Sequence, residues 1–112
     1  MIEGVIIINI INNSTNPVKT YEISENESVF FERLQEKIIY EKLKSPLCLT
    51  RLSNGTINVN YGSYPIGKIK LQGKSTHMQI LKTVYKIDII ENNTLEEYIN
   101  HIADWIKYIR KL

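Results

Sequence analysis

Four side chains able to meet an anion recur at short intervals in IGKIKLQGKSTHMQI, residues 66–80: Lys68, Lys70, Lys74 and His77. Lysine offers a compact point charge to a phosphate or carboxylate oxygen, and imidazole adds a donor whose charge changes near neutral pH. A strand turns successive side chains to opposite faces. Lys68, Lys70, Gln72 and Lys74 therefore share one face, and Ile69 and Leu71 the other. Met78 and Ile80 continue the apolar side, His77 and Gln79 the polar one. In TINVNY, Asn58 and Asn60 oppose Ile57, Val59 and Tyr61 in the same way. If these strands are neighbours, one sheet face gathers lysine, amide and imidazole groups with no carboxylate among them. Such a face suits a nucleic-acid backbone or an acidic protein patch. The same alternation also belongs to an ordinary solvated sheet face, where lysines guard against aggregation.

The charge layout points the same way. The net charge is only +2, yet residues 42–87 contain no acid and carry Lys42, Lys44, Arg51, Lys68, Lys70, Lys74, Lys82 and Lys86. All twelve acids lie outside that stretch. Arg51 and Lys86 are expected to extend the lysine row at its edges. Tyr64, in the shaped loop NYGSYPIG (60–67), adds contact area of the kind that protein interfaces use. Base-stacking aromatics are missing from the outward positions, and no arginine fork lies along the row, which disfavours sequence-specific reading. Both predicted helices are acid-rich and make poor recognition helices.

Catalytic patterns are not evident. His77 and His101 are the only histidines and sit far apart. His101 and Asp104, three apart on a predicted helix, offer two metal ligands without a third. Cys48 is the single cysteine, so no internal disulfide can form; in PLCLTRL it reads as a buried, inert thiol. A Cys48–His77 dyad or a nuclease-like Asp88/Glu91 pair would need the fold to bring those groups together. No phosphate-binding glycine loop, nucleophile elbow or H-E-x-x-H run occurs.

The elements that must position these groups follow from periodicity. GVIIINII (4–11) reads as a buried strand and VKTYEIS (18–24) as its hairpin return after NNSTNP. Ser24 and Glu27 form a capping box ahead of a helix whose stripe is Phe30, Phe31, Leu34, Ile38 and Ile39, with Pro46 as its stop. The period then switches to two. Asn54-Gly55 predicts a type I′ hairpin, and strands continue through IGKIKLQ, HMQIL and YKIDII as a meander. Thr94 and Glu97 cap a final helix with Leu95, Ile99, Ile102, Ile106 and Ile109 inward and Tyr98 and Trp105 flanking.

The chain is thus expected to be a single α+β domain over residues 1–112. Its mainly antiparallel sheet of about six or seven strands carries two helices on one face, in the order β-β-α-β-β-β-β-β-α. The functional expectation is a small non-enzymatic binding protein with no cofactor and no metal. Its basic sheet face, built on Lys68, Lys70, Lys74 and His77, would meet a nucleic-acid backbone. The alternative is an inhibitor of the phage type, with an anti-defence role, that docks the same face and the NYGSYP loop on a host protein acting on nucleic acid, through an acidic surface; a small enzyme is the third reading. The start, MIEGVIIINII, is too short and too polar for a membrane span, so a cytoplasmic location is expected. Abundant isoleucine and asparagine, with Ala103 the sole alanine, suggest AT-rich coding in a low-GC bacterium, its phages or mobile elements.

Overall fold

The computed structural model describes residues 10–13, 22–83 and 85–112. Six strands form one sheet in sequence order: β1 (Ile10–Asn13), β2 (Leu47–Leu52), β3 (Ile57–Tyr61), β4 (Tyr64–Lys70), β5 (His77–Thr83) and β6 (Lys86–Glu91). From β2 to β6 the strands run as an antiparallel meander, each joined to the next by a short turn or loop. The helices α1 (Glu25–Tyr40), α2 (Leu95–Asn100) and α3 (Ile102–Ile109) share one hydrophobic core with this sheet. The class is α+β, as expected.

The first strand departs from expectation. β1 pairs parallel with β2, Ile10 opposite Leu49 through Asn13 opposite Leu52. Parallel neighbours need a crossover, and α1 supplies it. Of the predicted hairpin, 4–9 and 18–21 lie outside the described residues, and 22–24 lead into α1 without strand structure.

Helix α1 starts where its capping box places it. The Ser24 hydroxyl accepts from the Glu27 N–H at 3.2 Å, and the Glu27 carboxylate accepts from the Ser24 N–H at 2.9 Å. Its end lies earlier than Pro46. Lys42 takes the left-handed conformation (φ 60°), so its N–H meets the Ile39 carbonyl and the Leu43 N–H meets that of Ile38. This paired closure is a Schellman motif, built here on lysine where glycine is usual. Phe30, Phe31, Leu34 and Ile38 are buried as the stripe predicts, whereas Ile39 is half exposed.

The Asn54-Gly55 turn is also built differently. Only Gly55 has positive φ, at 92°. The Gly55 N–H donates to the Leu52 carbonyl and the Leu52 N–H to that of Thr56, which makes a three-residue loop with a left-handed third residue. The Asn54 side chain accepts from the Thr56 N–H at 3.0 Å and stabilises that geometry.

Trp105 anchors the helix layer. It is fully buried, donates from Nε1 to the Gln79 carbonyl at 2.9 Å, and meets Phe30 edge-on at 5.6 Å. Tyr98 is buried too, so the two aromatics expected on the flank belong to the core, while Leu95 and Ile99 are only half-buried. Burying an indole of this size contributes about 4–6 kcal/mol by area. The β4 backbone makes room for it. A β-bulge shifts the β3–β4 register at Val59/Asn60, leaving Ile66 as the extra residue, and Ile66 and Gly67 are both buried. A Cβ on Gly67 would lie 2.5 Å from Trp105 Nε1 and 2.4 Å from the Gln79 carbonyl oxygen. Gly67→Ala should therefore cost about 1–3 kcal/mol through overpacking. Urea unfolding checks this; an unchanged midpoint would show that β4 and Trp105 are not packed this closely.

Candidate binding face on the open side of the sheet

Strand register decides which side chains share a face, because directly opposed residues point the same way. One row crosses the sheet as Thr50, Asn58, Lys68, Gln79 and Ile89. A second joins Lys70, His77 and Glu91, and a third pairs Leu81 with Ile87. Cys48 stands opposite Asn60 near the other margin. The helices occupy the opposite side, where Ile57, Val59, Ile69, Met78 and Ile80 are buried. Among the described residues nothing covers the open face.

The predicted row is only partly present on it. Lys68 is exposed near the centre and forms no ion pair among the described residues. Lys70 is half-buried, and its ammonium donates to the carbonyls of Gln72 at 2.8 Å and Ser75 at 3.0 Å. That lysine closes the β4–β5 loop more than it faces outward. Lys74 is exposed in the same loop, beside Gly73 (φ 95°). His77 lies between Lys70 and Glu91. Partial burial lowers its pKa, the charges of Lys70 and Lys68 push the same way, and Glu91 opposes them.

Three predicted members stand elsewhere. Arg51 is 1% exposed and faces the helices, since its partner across the ladder is the buried Ile57. Its guanidinium donates to both oxygens of Glu27, at 2.5 and 3.0 Å, and to the Gly55 carbonyl at 3.1 Å. Burial pushes the Glu27 carboxyl up, but hydrogen bonds from Arg51, Ser24 and Gln72, with the Arg51 charge, outweigh it and hold it below its ordinary value. Arg51 is thus a fold residue and not an outer contact. Lys86 falls with Asp88 on the helix side of β6 by alternation, away from Lys68. Tyr64 is 57% exposed but stands opposite Tyr61 at the end of the ribbon, on that residue's side. Tyr61 itself accepts from the N–H groups of Lys44 and Ser45, which ties it to the segment after α1.

The catalytic arrangements considered for the sequence do not assemble. Cys48 is exposed, not buried, and lies three strands from His77, about 14 Å across the sheet at the usual strand spacing and displaced toward its other end. Asp88 and Glu91 point to opposite faces of β6. His101 Nδ1 and Asp104 Oδ2 lie 2.8 Å apart at the α2–α3 junction, and Asp104 also meets Lys82 at 3.8 Å. The hydrogen bond to His101 lowers the Asp104 pKa despite partial burial. Among the described residues no group of three or more histidine, cysteine or acidic side chains is placed to hold a metal, and no helix is long and apolar enough to cross a membrane.

Sequence reading missed the apolar margin of the open face. Ile87 and Ile89 are 49% and 59% exposed there, beside the half-buried Leu81. The signal was present in YKIDII, where Ile87 and Ile89 alternate with Asp88, but parity relative to Lys68 required the β5–β6 register. The face also carries one carboxylate, Glu91, which the strands read in isolation did not show. The whole is a mixed patch: a central lysine, the polar groups of Thr50, Asn58, Asn60 and Gln79, and aliphatic side chains along one margin. Comparison of the chain with protein-family models, curated proteins and solved structures finds no match.

The surroundings of His77 give this arrangement a measurable pH signature. Its folded pKa is lowered from 6.5, so between the folded and unfolded values the unfolded chain binds more protons. The contribution of His77 to stability is complete above 6.5 and declines as pH falls through the folded value. A proton-NMR titration should place the His77 midpoint below 6.5, and Glu91→Gln should lower it further by removing the opposing charge. A midpoint at or above the ordinary value, indifferent to Glu91→Gln, would show that Lys70 and Glu91 do not flank the ring.

Proposed function

We propose that the protein is a non-enzymatic binding module whose open sheet face docks on an acidic surface of another protein. One observation carries this reading: the exposed Lys68 and its polar neighbours are continuous with the apolar margin of Ile87 and Ile89. Protein interfaces combine those two kinds of surface, with an apolar core inside a polar rim. A phosphate-tracking groove would instead need several uncommitted cations, since affinity for a nucleic-acid backbone grows with each phosphate neutralised. Arg51 is held by Glu27 and Lys70 by loop carbonyls, which reduces the row that first suggested nucleic acid. An inhibitor role toward a host protein, with an origin in a phage or mobile element, belongs with this reading and rests on coding bias alone.

The nucleic-acid reading keeps one supporting feature, the pair of exposed lysines 68 and 74. A photo-crosslinking residue placed at Asn58, in the centre of the face, separates the two. The docking reading predicts nuclease-resistant adducts with protein, lost on Lys68→Glu and absent when the probe replaces Glu32 on the exposed side of α1. Adducts that nuclease removes, together with binding to labelled DNA or RNA that weakens steeply with salt, would overturn it in favour of a phosphate backbone.

A further inference from the structure

Strand β6 ends the sheet order and has one strand neighbour, β5, among the described residues. The Asn92 N–H donates to the Thr76 carbonyl at 2.8 Å. Antiparallel ladders alternate, so the backbone groups of Ile90 and Asp88 also turn toward β5, and those of Ile87, Ile89 and Glu91 turn outward. The side chains on this edge are unusually apolar for a free margin. Ile87 is 49%, Ile89 59% and Tyr85, in the adjoining turn, 97% exposed. An edge with outward amides and exposed isoleucines is a template for another strand.

We propose that a second copy of the chain pairs antiparallel along β6, in the register that sets Ile87 against Ile87 of the second copy. A two-fold axis normal to the sheet keeps each face continuous, so Tyr85, Ile87, Ile89 and Glu91 can oppose only one another, as can Lys86, Asp88 and Ile90. Charge then selects among the registers. Centred on Ile87, the pairing sets Lys86 opposite Asp88 of the second copy twice over and brings Tyr85 beside Ile89 of that copy. Centred on Asp88, it opposes two carboxylates. Centred on Ile89, it sets Ile87 against Glu91 and Asp88 against Ile90. Opposite charges directly across a ladder stabilise it and like charges do the reverse. Lys82, 3.8 Å from Asp88 on the same side, leaves that carboxylate able to accept from Lys86 of the second copy as well. The charges that protect this edge from indiscriminate pairing thus favour one isologous register, and the two open faces then lie side by side.

Sedimentation equilibrium across a concentration series tests this, with circular dichroism confirming that each variant folds. The wild type should dimerise. Lys86→Asp alone and Asp88→Lys alone should each raise the dimer Kd by roughly tenfold or more, because each places like charges across the ladder twice. The combined Lys86→Asp/Asp88→Lys variant should restore it, since the pairs are merely exchanged. Amide exchange at Ile87 and Ile89 should slow as protein concentration rises. A wild type that stays monomeric at every concentration, with those amides exchanging freely, overturns the proposal. So does a dimer that the single substitutions leave intact or the combined one fails to restore. Lys68 takes no part in this pairing, so its failure leaves the docking reading standing.

Discussion

A buried ion pair between Glu27 and Arg51 holds together parts of the chain that periodicity alone would leave independent. Glu27 is 0% exposed and Arg51 1%, and moving two such charges out of water costs several kcal/mol each, a cost that close pairing and further hydrogen bonds offset. The local structure supplies such bonds to both carboxylate oxygens and to the two terminal guanidinium nitrogens. Glu27 closes the capping box of α1, accepts from both terminal guanidinium nitrogens of Arg51, and accepts from the Gln72 amide at 2.7 Å. Arg51 reaches on to the Gly55 carbonyl, and Gln72 to the carbonyl of Glu22. One carboxylate thereby fixes the start of α1 against β2, the β2–β3 loop and the β4–β5 loop. Its position at a helix N-terminus adds a favourable interaction with the helix dipole.

This network divides the polar residues of the basic stretch into two sets. Arg51, Lys70 and Gln72 satisfy buried carboxylate or loop carbonyl groups, and their donors belong to the fold. Lys68 stays exposed on the open face, with the half-buried Asn58, Asn60 and Gln79 around it. The helix layer makes the division sharp. Trp105 seals against the bare backbone of Gly67, so β4 presents its lysine outward and admits the indole from behind. Among the described residues the sheet is covered on one side only, and its open side has an apolar margin at the β5–β6 end.

Much of this was legible from residue types, and the failures share a cause. Ser24-x-x-Glu27 marked the true start of α1, and alternation through TINVNY, IGKIKLQ and HMQIL marked real strands with the inward side correctly chosen. Local signals sufficed because caps and period-two patterns depend on neighbours in sequence. Arg51, Cys48, Tyr64 and Lys86 were misplaced because parity across a sheet depends on turn lengths and bulges, which composition does not encode. Cys48 and Arg51 occupy opposite parities of β2, and the charged one faced inward since Glu27 waited there. The parallel pairing of β1 was hidden for a related reason: a β-branched run permits either direction, and only the crossover through α1 decides it. Likewise Lys42 ended α1 by adopting a conformation that favours glycine, so Pro46 was not the stop.

A double-mutant cycle on Glu27→Ala and Arg51→Ala, read by urea unfolding, tests most directly whether Arg51 belongs to the fold and not to the binding face. Each single substitution strands the other charge in the interior and should cost about 3–5 kcal/mol. The double substitution should cost much less than their sum, giving a coupling of about 2–3 kcal/mol. Small, additive losses would contradict the account: Arg51 would then be a solvated cation, available to a partner after all.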